Sequence, residues 1–274
     1  MFVKTHGYTK AEIDRFRTLQ QTCFQIQTEL ASELQEGVSE REVARELFDR
    51  YRKSGAGNFF HLPVALFGDR TGLPGNWRLG HFFPRKTTLK EGDAVILDGS
   101  PVFDGFMVDT SYSFCFGKNP KHEEMMRSLL EERGRILDEV NERKTFKAIA
   151  QRVADDCEAL GYEPVHEKHP GEVLGHRAVR VRGPQGWRLR GSDGVSLSWF
   201  LIKEGQARFF PKQSPLWNRN PSSDHAPTDG LWLVEPHFGT PEFGAKWEEI
   251  LVIEDGRAYW LEDNPPHVRL ATDR

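Results

Sequence analysis

Residues 93–113 read DAVILDGSPVFDGFMVDTSYS. Asp98 follows the apolar run 94–97, and Asp109 follows the run 106–108. Between them, Asp104-Gly105 is a two-residue hairpin signal, because such turns need positive φ at their central positions. The two aspartates lie eleven positions apart (109 − 98) across that hairpin. Both carboxylates can therefore reach one point between the strands. Like charges held that close repel, so they need a cation or one must stay protonated. A pair of divalent ions meets that need. The plainer alternative makes Asp98 a turn residue before Gly99 and Asp109 the cap of a bend before Thr110.

Upstream, Ile13, Phe16, Leu19, Cys23, Ile26, Leu30 and Leu34 recur at steps of three and four. That stripe predicts an amphipathic helix over about 10–35. Ser39 and Glu42 form a capping box for a second helix to about 53. Residues 58–117 read as short strands. Pro120 opens a helix to about 141, and another spans about 145–160. From 162 onward the sequence predicts strand and loop only. Residues 183–230 hold many Gly, Pro, Ser and Asn and read as a long, partly ordered insertion. LWLVEPHFG at 231–239, WEEILVIEDG at 247–256 and AYWLED at 258–263 read as strands. Helix pair, strands, helix pair, strands suggests one α+β domain of two similar halves.

Composition sets outer bounds. The chain has 274 residues, 38% hydrophobic and 28% charged, with 19 Phe and 7 Trp to fill a core. Its net charge is −4, so nucleic acid is not expected as a partner without a local basic patch. No apolar run reaches the roughly 18–20 residues of a membrane span, and the opening residues carry no apolar signal segment. Cys23, Cys115 and Cys157 form no CxxC pair and no disulfide framework. The expectation is a cytoplasmic protein with reduced thiols, in which any metal falls to carboxylates and histidines.

A second set of residues strengthens the acidic pair. His176 follows Gly175, Glu235 ends the apolar run 231–234, and Glu248 and Glu249 lead the run 250–253. Singly, each reads as a loop or surface residue. Together with Asp98 and Asp109 they supply the donors of a two-metal hydrolase at strand ends.

In that order, Asp98, Asp109, His176, Glu235 and Glu248 resemble the five-ligand pattern of the methionine aminopeptidase, Xaa-Pro dipeptidase and creatinase family. The EGDAVILDG turn and strand, the Gly-His dipeptide and the Val-Glu-Pro strand are also similar. The resemblance covers the whole chain. It implies the pita-bread fold: a pseudo-two-fold, curved antiparallel sheet with helices on its outer face, formed by residues 1–274 as a single catalytic domain. It implies two divalent ions, of Mn, Co, Zn or Fe. Asp98 would bind one, Asp109 and one Glu would bridge, and His176 and the other Glu would complete the second. A metal-bound hydroxide would attack an amide carbonyl of a peptide or small-molecule substrate. His81, 17 residues before Asp98 (98 − 81), falls where the family has a substrate-contacting His. A homodimer is left open.

Three departures stand out. The family carries a second His about seven residues after the ligand His, where this chain has Arg182 and Gly183. His225 or His237 could supply that imidazole in space, or Arg182 could bind a carboxylate or oxyanion. The last ligand is assigned to Glu248, with Glu249, on the opposite strand face, as the fallback. The insertion alternates basic and aromatic residues, and it reads as a lid, a binding surface, or a β-excursion with its own small core. The leading function is a divalent-metal-dependent hydrolase, aminopeptidase- or Xaa-Pro-peptidase-like. The alternatives are a metal-dependent lyase or C–N hydrolase on a small metabolite, and a non-catalytic binding protein.

Overall fold

The computed structural model describes residues 3–76, 79–182, 187–189, 191–207 and 209–272. Helix α1 (Lys10–Glu33) starts at a capping box that the sequence analysis missed, in which Thr9 and Glu12 satisfy each other's backbone amides. Helix α2 (Glu40–Lys53) starts at the expected Ser39–Glu42 box. Helices α3 (Pro120–Asn141) and α4 (Phe146–Ala159) begin at Asn119 and Thr145, whose side chains accept first-turn amides. Two further helices, α5 (Gly194–Ala207) and α6 (Pro266–Thr272), correct the reading of strand and loop alone after 162. Residues 183–186, 190 and 208 of the expected insertion lie outside the described residues.

Helix α5 escaped the pattern because its stripe is short and flanked by glycines. It stands on tertiary contacts. Asp193 accepts from the Ser196 amide at 2.7 Å, and Phe200 is buried against Phe60, with ring centroids 4.8 Å apart. Among the described residues, no helix is long and apolar enough to cross a membrane.

The strands follow each helix pair. In the first half, Val64–Phe67, Ala94–Gly99 and Thr110–Cys115 form an antiparallel sheet with Ala94–Gly99 in the centre. In the second half, five strands run in the order Leu216–Asn218, Val173–Arg177, Gly230–Val234, Glu249–Glu254, Arg257–Trp260. The halves meet where the edge of Thr110–Cys115 reaches residues 246–248. Ser111 bridges to Glu248, and the Ser113 hydroxyl donates to the Lys246 carbonyl at 2.7 Å while accepting from its amide at 3.0 Å.

The hairpin at Asp104-Gly105 is present, with φ of 49° and 84°. A side chain at Gly105 would also strike the Val181 carbonyl at 2.0 Å, so glycine is required there twice over. The hairpin keeps one register throughout, with Gly99 opposite Thr110 and Val102 opposite Met107. It bends between these pairs and passes from one sheet to the next. Asp109 sits at the bend. It lies two residues from Ser111, the partner of Asp98, and so shares the face of Asp98. Gln27 on α1 braces the bend, its side-chain amide donating to the carbonyls of Leu97 and Thr110 at 3.2 and 2.8 Å.

Helices α3 and α4 cover the second sheet through Trp217, Trp232 and Trp247, all fully buried. Each indole N–H donates to a backbone carbonyl, of Phe146, Thr228 and Leu129 respectively. Glu249 anchors the same face. Its buried carboxylate accepts from Arg133 at 2.6 Å and from His267 at 2.8 Å. Burial opposes its charge, but His267 and Arg133 outweigh it and hold the carboxyl below its ordinary range.

Replacing Glu249 by Gln leaves Arg133 without its buried counter-charge. The variant should lose about 3–5 kcal/mol of unfolding free energy, read from urea titrations. A second expectation concerns Glu12. Burial opposes its charge, but Lys4, the Thr9 amide and Arg180 together bring its pKa from 4.5 to about 2. Its contribution is therefore complete above pH 4.5 and is lost as pH falls toward 2. Glu12→Gln should flatten the acid limb of the stability curve across that interval while lowering stability at neutral pH.

Candidate metal centre

Five strand ends deliver five side chains to one place. Asp98 closes the central strand of the first sheet, and Asp109 precedes its neighbour. His176 lies on Val173–Arg177 opposite Leu233. Glu235 follows Gly230–Val234, and Glu248 precedes Glu249–Glu254. None of the five is more than 8% exposed.

Two groupings form within this set. The His176 Nε2 atom lies 3.7 Å from Asp109 Oδ2 and 3.7 Å from Glu248 Oε1. These three donors fall within 4.8 Å of one another, a spacing that one metal ion can span. On the other side, the buried Lys246 ammonium donates to Asp98 Oδ2 at 2.7 Å, Glu235 Oε2 at 2.9 Å and Glu248 Oε2 at 3.2 Å. Lys246 thus takes one oxygen from each of three acids. It leaves Asp98 Oδ1 and Glu248 Oε1 buried and without a hydrogen-bond partner, as is Asp109 Oδ1. Buried carboxylate oxygens without donors are costly unless a cation meets them. Oxygen donors with an imidazole suit Mn, Co, Zn or Fe, so the residues present fit a divalent ion.

The electrostatics agree with a cluster built for cations. Burial and then Asp109 push the Glu248 carboxyl up to about 8. Burial also opposes the charge on Glu235, but Lys246 and His169 hold that carboxyl well below its usual range. Burial works against a charged Lys246, and Asp98, Glu235 and Glu248 reverse this, raising it well above normal.

Glu248 and Glu249 point to opposite faces, as alternation along a strand requires. Glu248 turns to His176, and Glu249 turns to Arg133 and His267. His237 lies one residue away from the acids. Its Nε2 donates to the Thr71 carbonyl at 2.7 Å, leaving Nδ1 to accept from His169, whose other nitrogen meets Glu235 at 2.9 Å. His81 lies in the turn Leu79–His81, next to Phe82, whose ring stands edge-on to His169.

Two expected residues fall elsewhere. His225 is tied to the start of α4, its carbonyl accepting from the Phe146 amide and its ring edge-on to the Phe146 ring. Arg182 is exposed just past Arg180–Val181, where pairing with Val3–Lys4 carries the chain to the surface. His225 thus does not supply the expected imidazole to the cluster, and Arg182 is not placed to bind a carboxylate or oxyanion there.

Three residues were missed: Lys246, His169 and His61. Lys246 had a signal, since it stands two residues before Glu248 and so shares its strand face. His169 had none. His61 Nε2 approaches Asp109 Oδ2 at 3.2 Å and Asp98 Oδ1 at 3.4 Å. It gets there because Val64, three residues on, pairs with Asp98, a register that no local pattern encodes.

Comparison with known proteins gives a consistent picture. A Bacillus subtilis protein named as a dipeptidase is 32% identical over 99 residues, covering 36% of this chain and 26% of that protein. The chain spans 26%, 44% and 39% of the first three curated relatives it matches, less than half of each. The solved structure of an Xaa-Pro dipeptidase from Bacillus anthracis superposes with a TM-score of 0.66 at 21% identity, over 94% of this chain and 62% of that one. A methionine aminopeptidase from Rickettsia prowazekii gives 0.60 at 12% identity, over 94% of this chain and 99% of that one. At these identities the structures establish the pita-bread fold. The family model for metallopeptidase family M24 matches residues 14–255, and the chain belongs to that family.

Proposed function

We propose that this chain is a divalent-metal-dependent peptidase that releases an amino-terminal residue from short peptides, Xaa-Pro peptides among them. The carrying observation is the convergence of Asp109, His176 and Glu248 within 4.8 Å of one another, with unpartnered carboxylate oxygens at Asp109 and Glu248. Family membership and the names of the similar proteins support a peptide substrate. We take residues 1–274 as one catalytic domain, working in the reducing cytoplasm.

Asp109, His176 and Glu248 would hold one ion, and Asp98 with Asp109 a neighbouring one. Bound ions supply Lewis acidity to a scissile carbonyl and to a water. The chain does the rest. Lys246 compensates and orients Asp98, Glu235 and Glu248 from behind. His169 pins Glu235 and is itself fixed by His237. The rings of Phe60 and Phe200 each lie 5.7 Å from the His176 imidazole. That apolar wall excludes water and favours an apolar side chain or prolyl ring beside the cleaved bond. His81, in the turn beside Phe82 and His169, is assigned to contact the substrate.

The protein stripped with chelator and reloaded separately with Mn, Co, Zn or Fe should hydrolyse members of a panel of Xaa-Pro dipeptides, Met-Xaa peptides and other dipeptides. Chelation should abolish turnover, and Asp109→Asn should reduce it by about 100-fold or more. No turnover on the whole panel with ions bound would remove the peptidase reading.

A further inference from the structure

The sequence pattern supplies one imidazole to the cluster, His176. The fold delivers a second, His61. Its Nδ1 lies 3.0 Å from the Leu62 carbonyl. A carbonyl only accepts, so Nδ1 carries a proton, and Nε2 is the atom presented to Asp98 and Asp109. Nε2 can meet the two carboxylates through a proton, and a bound ion would take the place of that proton. His176 has the same polarity: its Nδ1 is 3.3 Å from the Arg177 carbonyl, and its Nε2 faces Asp109 and Glu248. Metal-ligating imidazoles are held in this way, with one nitrogen on a backbone carbonyl and the other free for the ion.

We propose that His61 is a metal ligand, completing with Asp98 Oδ1 and Asp109 a second ion position beside that of Asp109, His176 and Glu248. His61 Nε2 and one oxygen from each aspartate lie within 4.8 Å of one another. Asp98 Oδ1 is buried and has no other partner, because Lys246 occupies Oδ2. Asp109 is common to both positions and links them. Each position then carries one nitrogen donor, which favours zinc or cobalt over manganese at both. His61 is a second imidazole at the cluster, beside His176. It comes from a segment more than 100 residues earlier (176 − 61 = 115).

The inference rests on the metal-dependent reading above, and its test separates the two. Apo-protein is dialysed against zinc or cobalt, and bound metal is counted by elemental analysis and calorimetry for the wild type, His61→Ala and His61→Gln. The wild type should bind two ions. Both variants should keep one and bind the second at least about tenfold more weakly. The His61 side chain is 39% exposed, so both variants should fold, and thermal unfolding without metal checks this. With manganese, the wild type should show the broadened paramagnetic resonance of a coupled pair, and the variants the six-line signal of an isolated ion. Two ions of unchanged affinity in both variants would overturn the role of His61 and leave the peptidase reading intact. A wild type that binds one ion would also overturn the second position. A wild type that binds none would overturn both readings.

Discussion

One buried ammonium makes the centre of this protein possible. Asp98, Glu235 and Glu248 come from different strands and converge on Lys246 Nζ. Without a cation, three carboxylates in a low-dielectric site would repel each other and drive the strands apart. Lys246 is itself held by its backbone, through the paired hydrogen bonds to Ser113 across the joint between the halves. The contact that joins the two halves is therefore also the contact that fixes the charge. Lys246 takes Asp98 Oδ2 and Glu248 Oε2, and the other oxygens of these two acids, Asp98 Oδ1 and Glu248 Oε1, are the ones that His61 and His176 approach.

Support and chemistry divide along that line. Helix α1 reaches the bend between Asp98 and Asp109 through Gln27, so the acids are braced by the carbonyls on either side of them. Glu235 belongs to neither of the two donor groups that include an imidazole. It is held from two directions, by Lys246 and by the His169–His237 pair that ends on the Thr71 carbonyl. Such arrangements keep carboxylates from swinging and preserve the geometry that an ion needs.

Much of this could be read from the sequence, and the boundary has a physical cause. The helices α1 to α4, the capping box at Ser39 and the hairpin at Asp104-Gly105 are local properties, set by periodicity, capping and turn chemistry. Asp98, Asp109, His176, Glu235 and Glu248 could be found because each sits at the end of an apolar strand, where a polar residue needs a reason. The rest depends on pairing between distant segments. Helix α5 is stable because Phe200 packs on Phe60. His61 reaches the acids because Val64 is in register with Asp98. Arg182 was placed by counting along the chain, which fails where strand pairing with Val3–Lys4 redirects the backbone, and His225 was offered as an imidazole in space, where the start of α4 holds it instead.

The alternation at Lys246, Glu248 and Glu249 has a consequence for how this stretch can change over time. Lys246 and Glu248 face the acid cluster, Trp247 and Glu249 face the α3 side, and the period is two. A single inserted or deleted residue here would exchange the two faces. It would swing Glu249 from Arg133 into the cluster and turn Glu248 toward the apolar packing. One event would strip both the scaffold of its anchor and the centre of its acid. Point substitutions can accumulate around this strand, but its length cannot drift, and homologous chains should align through residues 246–249 without gaps.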